Sequence, residues 1–215
     1  MPQAKSSPRQ PTGLPGWNAN RTLPAEPLSP AEVQALMAAF NRGATGDRNR
    51  AFVAILYRGG LRISEALELR PADVNLAAGT IRVLHGKGDR ARTVGIDDGG
   101  LRHVERWMAH RTRRGLNGHH RLLTKLDGTP WSPQAAREAL YYAARKAGIE
   151  KRVHPHGLRH THAAELSMER VPVATIQRQL GHSNLAVTSR YLDHIAPADV
   201  IAVGRGRTWQ EDATD

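Results

Sequence analysis

The sequence predicts an α+β domain, mainly helical, with one small antiparallel β-sheet. Three observations predict it. Apolar residues recur at helical spacing through most segments from residue 29 onward. Residues 80–84 alternate and are rich in β-branched side chains, and residues 92–96 resume that pattern after a turn. Gly, Pro, Ser and Asp punctuate the chain where one element gives way to the next.

The elements follow in order. Residues 1–27 carry Pro2, Pro8, Pro11, Pro15, Pro24 and Pro27 among polar residues, the composition of a flexible arm or linker. Ser29-Pro30-Ala31-Glu32 has the form of a capping box with proline at the first helical position. Val33, Leu36, Met37 and Phe40 then define an inward face. A second helix is expected over 47–57, ended by Gly59 and Gly60. A short helix follows over 63–69 and stops before Pro71. The two alternating runs make a hairpin, with Lys87 at or near its tip in Gly86-Lys87-Gly88-Asp89. Residues 101–114 form an amphipathic helix with Leu101, Val104 and Met108 inward. Ser132-Pro133 opens another helix that runs to 146 and closes at Gly148. Helices over 155–170, 173–180 and 184–191 complete the domain. Residues 197–215 form a polar tail with an acidic end.

Composition narrows the function. The chain has 215 residues, with 31 Lys and Arg against 20 Asp and Glu, a net charge of +11. That excess favours a polyanionic partner. No apolar run is long enough to span a bilayer, and no apolar secretory leader stands at the N-terminus. The expected setting is therefore the cytoplasm, with no membrane partner. Cysteine is absent, which excludes disulfides and thiolate metal sites. Aromatic residues make up only 5%, too few for a base-stacking platform that binds single strands.

The candidate chemistry lies in a few clusters. Arginine suits an anionic phosphodiester and its more highly charged transition state, because it is planar, always protonated and donates paired hydrogen bonds. Arg62 stands at a helix start, where backbone amides add to the anion-attracting field, and Arg159 lies three residues after His156. Glu65 either orients Arg62 through an ion pair or is simply a first-turn acid. Tyr191 is a phenol with an ordinary pKa of about 10, and nearby cations would favour its nucleophilic anion. Tyr57, Tyr141 and Tyr142 sit in apolar helical surroundings and are assigned to the core. Lys87 can serve as a general acid or be a plain turn lysine. His156 and His182 suit proton transfer or hydrogen bonding to phosphate, and His160 a supporting role. His154, His156, His160 and His162 are reminiscent of a metal site, but no His-Glu-x-x-His pattern or carboxylate nest accompanies them, so no metal is assigned. Arg92, Arg102, Arg106, Arg111, Arg113, Arg114 and Arg121 form the candidate DNA-contacting set, with Lys125 extending the basic run.

Arg62 in Gly-Leu-Arg-Ile-Ser-Glu, Lys87 in Gly-Lys-Gly-Asp, His156-x-x-Arg159, Leu-Gly-His182 and Tyr191 nine residues later together resemble the tyrosine recombinase, or phage integrase, family. The order and spacing agree over residues 28–196, which makes that range the expected catalytic domain. The resemblance implies the DNA breaking-rejoining enzyme fold and a site-specific recombinase acting on double-stranded DNA. By that resemblance Tyr191 attacks the scissile phosphate and forms a 3′-phosphotyrosyl link. Arg62 and Arg159 hold the non-bridging oxygens, Lys87 is the general acid, His156 assists proton transfer, and His182 hydrogen-bonds the phosphate. Neither cofactor nor ATP is implied. Four protomers assemble on two DNA sites, and the tail beyond Tyr191 docks on a neighbouring protomer.

This chain departs from the pattern in two places. Family members carry a helical core-binding domain ahead of the catalytic one, where residues 1–27 stand here. The expectation is either a catalytic-domain piece or a naturally short member, with the basic run from 102 to 125 supplying phosphate contacts. The family's second strand is commonly followed by proline, where this chain reads Val94-Gly95-Ile96. The competing readings are a type IB topoisomerase-like relaxing enzyme, a non-catalytic DNA-binding accessory protein, and a histidine-metal hydrolase.

Overall fold

The computed structural model describes residues 26–84, 91–116, 118–181 and Arg205. Among these the fold has seven α-helices and one three-stranded sheet. The first helix, α1 (Pro30–Ala39), opens with the predicted capping box: Glu32 N donates to Ser29 Oγ at 3.2 Å, and Ser29 N to Glu32 Oε2 at 2.7 Å. Its Val33, Leu36 and Phe40 are buried and Met37 is half-buried, which places the apolar face where its spacing put it. Just ahead of it, the Leu28 amide donates to the buried Thr161 Oγ1 at 3.0 Å.

Helix α2 (Ala44–Tyr57) begins three residues earlier than expected. Gly43, with φ 94°, lets the chain turn into it without a side-chain cap. Asp47, which reads as a helix-start acid, is instead buried and bound to Arg50 at 3.1 Å and His110 at 2.9 Å. Helix α3 (Ile63–Glu68) follows, then a single 3₁₀ turn at Pro71–Asp73. The sheet is β1 (Val74–Asn75), β2 (Thr80–Val83) and β3 (Arg92–Gly95), antiparallel in that order. Strand β1 has two residues, too few to show an alternation in sequence. Ile81 pairs with Val94 and both are buried, so one face of the sheet joins the core.

Helix α4 (Asp98–Arg113) starts before residue 101 because Asp97 caps it, accepting from Gly100 N at 2.8 Å. Helices α5 (Pro133–Lys146), α6 (Pro155–Met168) and α7 (Val173–Leu180) match their expected positions, with Ser132 and His154 as side-chain caps of the first two. The helix expected over 184–191 and the Lys87 turn lie outside the described residues.

The core forms where α2 packs on α4 and α6. Phe52 and Trp131 meet edge to face at 5.1 Å, and Arg48 stacks over the Trp131 ring, 3.9 Å from its centre. Trp107, fully buried, donates its indole N–H to Leu122 O at 2.7 Å. Each fully buried leucine or phenylalanine here stabilises the fold by about 2 kcal/mol. The core assignment holds for Tyr57, which packs against the core, and needs correction for Tyr142. Tyr57 is half-buried because its hydroxyl reaches Glu165 at 2.5 Å, Tyr141 is half-buried, and Tyr142 is 66% exposed. Tyr142 meets Tyr141 edge to face at the surface of α5, and its apolar neighbours in sequence lie on another face of the helix.

Candidate active site

The site forms where the N-terminus of α3, the start of β3, the middle of α6 and the C-terminus of α7 meet. At its centre is Glu65, whose side chain is only 2% exposed. It accepts from the Arg62 amide at 2.8 Å and from Arg62 Nη1 at 2.8 Å. It also receives both prongs of Arg92, Nη1 on Oε1 at 2.9 Å and Nη2 on Oε2 at 2.8 Å. Arg159 Nη1 lies 3.9 Å from Glu65 Oε2. Burial alone would push this carboxyl up. The hydrogen bonds from Arg92 and the Arg62 amide, then the Arg92 charge and the hydrogen bond from the Arg62 guanidinium, outweigh burial and hold it down at about 2. One negative charge therefore faces three guanidinium groups, and the cluster stays net positive.

The arginines also grip the end of α7. Arg159 Nη2 donates to Leu180 O at 2.6 Å and Arg62 Nη2 to Gly181 O at 3.4 Å. These carbonyls have no partner within the helix and carry the negative end of its dipole, so cations are favoured there. Arg159 Nη1 donates to Gly60 O at 2.6 Å, which fixes the plane of its guanidinium. Gly60 must be glycine on two counts: φ is 67°, and a Cβ would fall 2.7 Å from His162 Cδ2. Gly181, with φ 64°, crosses the Arg92 side chain so closely that a Cβ would come within 2.8 Å of Nε.

His156 is exposed at the rim. Desolvation by neighbouring atoms and then the charges of Arg159 and Arg62 push its pKa down. Its ring is thus neutral at pH 7 and able to accept a proton. His154 caps α6 through Nδ1, which accepts from Gly157 N at 3.1 Å. Burial first, then the neighbouring cations, lower it to about 4. His160 is buried within α6, and His162 is buried and lowered to about 4, mainly by desolvation. Among the described residues no three histidine or carboxylate side chains converge as a metal cage. Lys87, His182 and Tyr191 lie outside the described residues; Gly181 is the residue immediately before His182.

Two of the arginines expected on DNA are placed differently. Arg111 is fully buried and donates to the carbonyls of Arg121 at 2.5 Å and Leu122 at 2.9 Å, so it staples the loop after α4. Arg92 is turned inward onto Glu65. Arg102, Arg106, Arg113 and Arg114 are exposed along α4 and its end, and Arg121 pairs with Glu68 at 2.6 Å. Sequence reading missed Gln179. Its side chain donates to Gly95 O at 2.7 Å and accepts from Gly95 N at 3.1 Å, while its backbone O accepts from Arg92 Nε at 3.3 Å.

A mainly helical domain of this topology, carrying arginines from α3 and α6 around one buried carboxylate, is of the tyrosine recombinase class. The sequence pattern of the phage integrase family matches residues 26–196, and the chain belongs to that family. It is 36% identical to tyrosine recombinase XerD of Pseudomonas putida over 174 residues, which cover 80% of this chain and 58% of that protein. It is 34% identical over 165 residues to the type 1 fimbriae regulatory protein FimE of Escherichia coli K12, covering 76% of this chain and 83% of FimE. The crystal structure of XerA recombinase superposes with a TM-score of 0.73 at 25% identity, over 95% of this chain and 68% of that one. The chain thus spans little more than half the length of the XerD relative it matches.

Proposed function

We propose that this chain is the catalytic part of a site-specific DNA recombinase that cuts and rejoins strands through a tyrosine. The observation that carries the reading is the junction of Arg62 and Arg159 around Glu65, next to the neutral imidazole of His156. Preorganised guanidinium groups stabilise the charge that builds on a pentacoordinate phosphorus. The Tyr191 oxygen attacks the phosphorus and a 3′-phosphotyrosyl bond forms. The P–O bond to the 5′ oxygen breaks, and Lys87 gives that oxygen its proton. His156 takes up the phenol proton, and His182 donates to a phosphate oxygen. A 5′ hydroxyl from a partner strand then reverses the step. One phosphodiester is exchanged for another, so no ATP is consumed. The same active site suits two DNA sites held by four copies of the protein. Exposed Arg102, Arg106, Arg113 and Arg114 supply phosphate contacts. The crystal structure of XerH recombinase bound to its difH substrate, at 25% identity, supports DNA as the partner.

The test is a nicked DNA substrate that traps the cleaved state, offered to the wild type and to Tyr191→Phe. The expected result is a covalent protein–DNA adduct that survives chelator and is absent in the variant. An adduct that persists in Tyr191→Phe sinks the assignment. Supercoiled plasmid provides a starting substrate, and strand exchange between two sites separates recombination from simple relaxation.

A further inference from the structure

We infer that Arg92 is a positioning residue for the phosphate-binding arginines, and not a DNA contact. The inference rests on the recombinase reading above. Three observations carry it. First, Arg92 faces inward: its side chain is 12% exposed, and both terminal nitrogens are spent on the two oxygens of Glu65. A planar fork on a carboxylate is the strongest and most directional pairing two side chains make. Second, the same carboxylate orients Arg62 through two bonds and lies 3.9 Å from Arg159. Third, Arg92 Nε reaches Gln179 O at 3.3 Å, and Gly181, with φ 64°, lies directly against its guanidinium.

A buried carboxylate facing only Arg62 and Arg159 would draw both inward and cancel much of their charge. Arg92 supplies a further counter-charge by bonding both oxygens. Glu65 then acts as a fixed hinge post, and Arg62 and Arg159 keep their positive field for a phosphate. Because Arg92 opens β3 and touches the end of α7, it also ties the strand that follows the Lys87 turn to the segment that leads into His182. No lysine can replace it fully, since an ammonium is a point donor and cannot bond both oxygens in one plane.

The test compares two substrates that differ in charge at one position. One carries an ordinary scissile phosphate and the other a neutral methylphosphonate there. Arg92→Lys and Arg92→Ala are assayed for single-turnover covalent adduct formation, with DNA affinity measured in parallel. On the ordinary phosphate, Arg92→Ala loses roughly tenfold to a hundredfold in rate and Arg92→Lys about tenfold or less, with affinity changed less than about twofold. On the methylphosphonate, where the arginines have no anionic oxygen to hold, the loss shrinks several-fold. An equal loss on both substrates makes Arg92 a merely structural residue and overturns the inference. A loss expressed in DNA affinity with an unchanged rate restores it to the DNA-contacting set and also overturns the inference. If Arg92→Ala does not fold, Arg92→Lys carries the same comparison. A wild type that forms no adduct on either substrate overturns the recombinase reading itself, an outcome distinct from the others.

Discussion

Replacing Glu65 with glutamine removes one buried negative charge and leaves the side-chain shape intact. The carboxyl is held at about 2 against an ordinary value of 4.5. At about 1.4 kcal/mol per pH unit, that gap corresponds to about 3 kcal/mol of folding stability at neutral pH. The side chain is 2% exposed, so solvent screening takes little from this figure. Breaking a buried ion pair by removing one partner costs about 3 to 5 kcal/mol in general, which agrees. The sign follows from the direction of the shift. A carboxyl lowered by folding contributes fully above about 4.5 and loses its contribution as pH falls towards about 2. Glu65→Gln lacks that contribution at every pH. Urea unfolding at pH 7 should therefore show a deficit of about 3 kcal/mol, falling to about half by pH 3. A deficit under about 1 kcal/mol at pH 7, or one that stays constant between the two pH values, refutes the hub described for this carboxylate.

Three further outcomes are expected. His162 is lowered from 6.5 to about 4, so the folded protein excludes a proton that the unfolded chain binds; stability is full above about 6.5 and falls by up to about 3 kcal/mol as pH drops towards 4. His162→Phe should take up to about 3 kcal/mol off that limb while His154, also lowered to about 4, keeps its own share, and an unchanged limb in the variant rules out His162 as a source. Arg111→Met should lower the melting temperature and leave the salt dependence of DNA binding unchanged, because the side chain is buried on carbonyls. Arg102→Ala and Arg106→Ala should each reduce the slope of log affinity against log salt by about one and spare stability; the reverse pattern would return Arg111 to the DNA face.

The parts of this protein legible in sequence are those governed by local rules. The capping box at Ser29, the Ser132-Pro133 start and the turn at Gly181 are short-range patterns, and each element they bound lies where it was expected. The ion pair of Arg62 with Glu65 was legible as one of two readings, since the two lie one helical turn apart, and the structure selects it. Arg92 was not. Its partner is 27 positions away, and nothing in a strand pattern says which surface arginine turns inward. Arg111 misled for a related reason. On α4 it reads as one of several basic residues, yet it shares the buried face with Val104 and Trp107 and exists to satisfy loop carbonyls. Tyr142 erred in the opposite direction, because apolar neighbours in sequence do not fix which way one helical position points. The early start of α2 was hidden by a glycine turn that has no side-chain cap to announce it.

The resemblance led to an expectation of proline in Val94-Gly95-Ile96, and the glycine found there has a structural consequence. Proline has no N–H to give, whereas the Gly95 amide donates to the Gln179 side chain, which in turn donates back to the Gly95 carbonyl. The Gln179 amide thus behaves as a one-residue strand laid along the outer edge of β3, using up hydrogen-bonding groups that an exposed edge leaves open to another chain. The same residue meets Arg92 at the far end of that strand through its own carbonyl. A single glutamine therefore contacts both terminal residues of β3, the backbone of Gly95 and the side chain of Arg92, and ties the end of α7 to the strand.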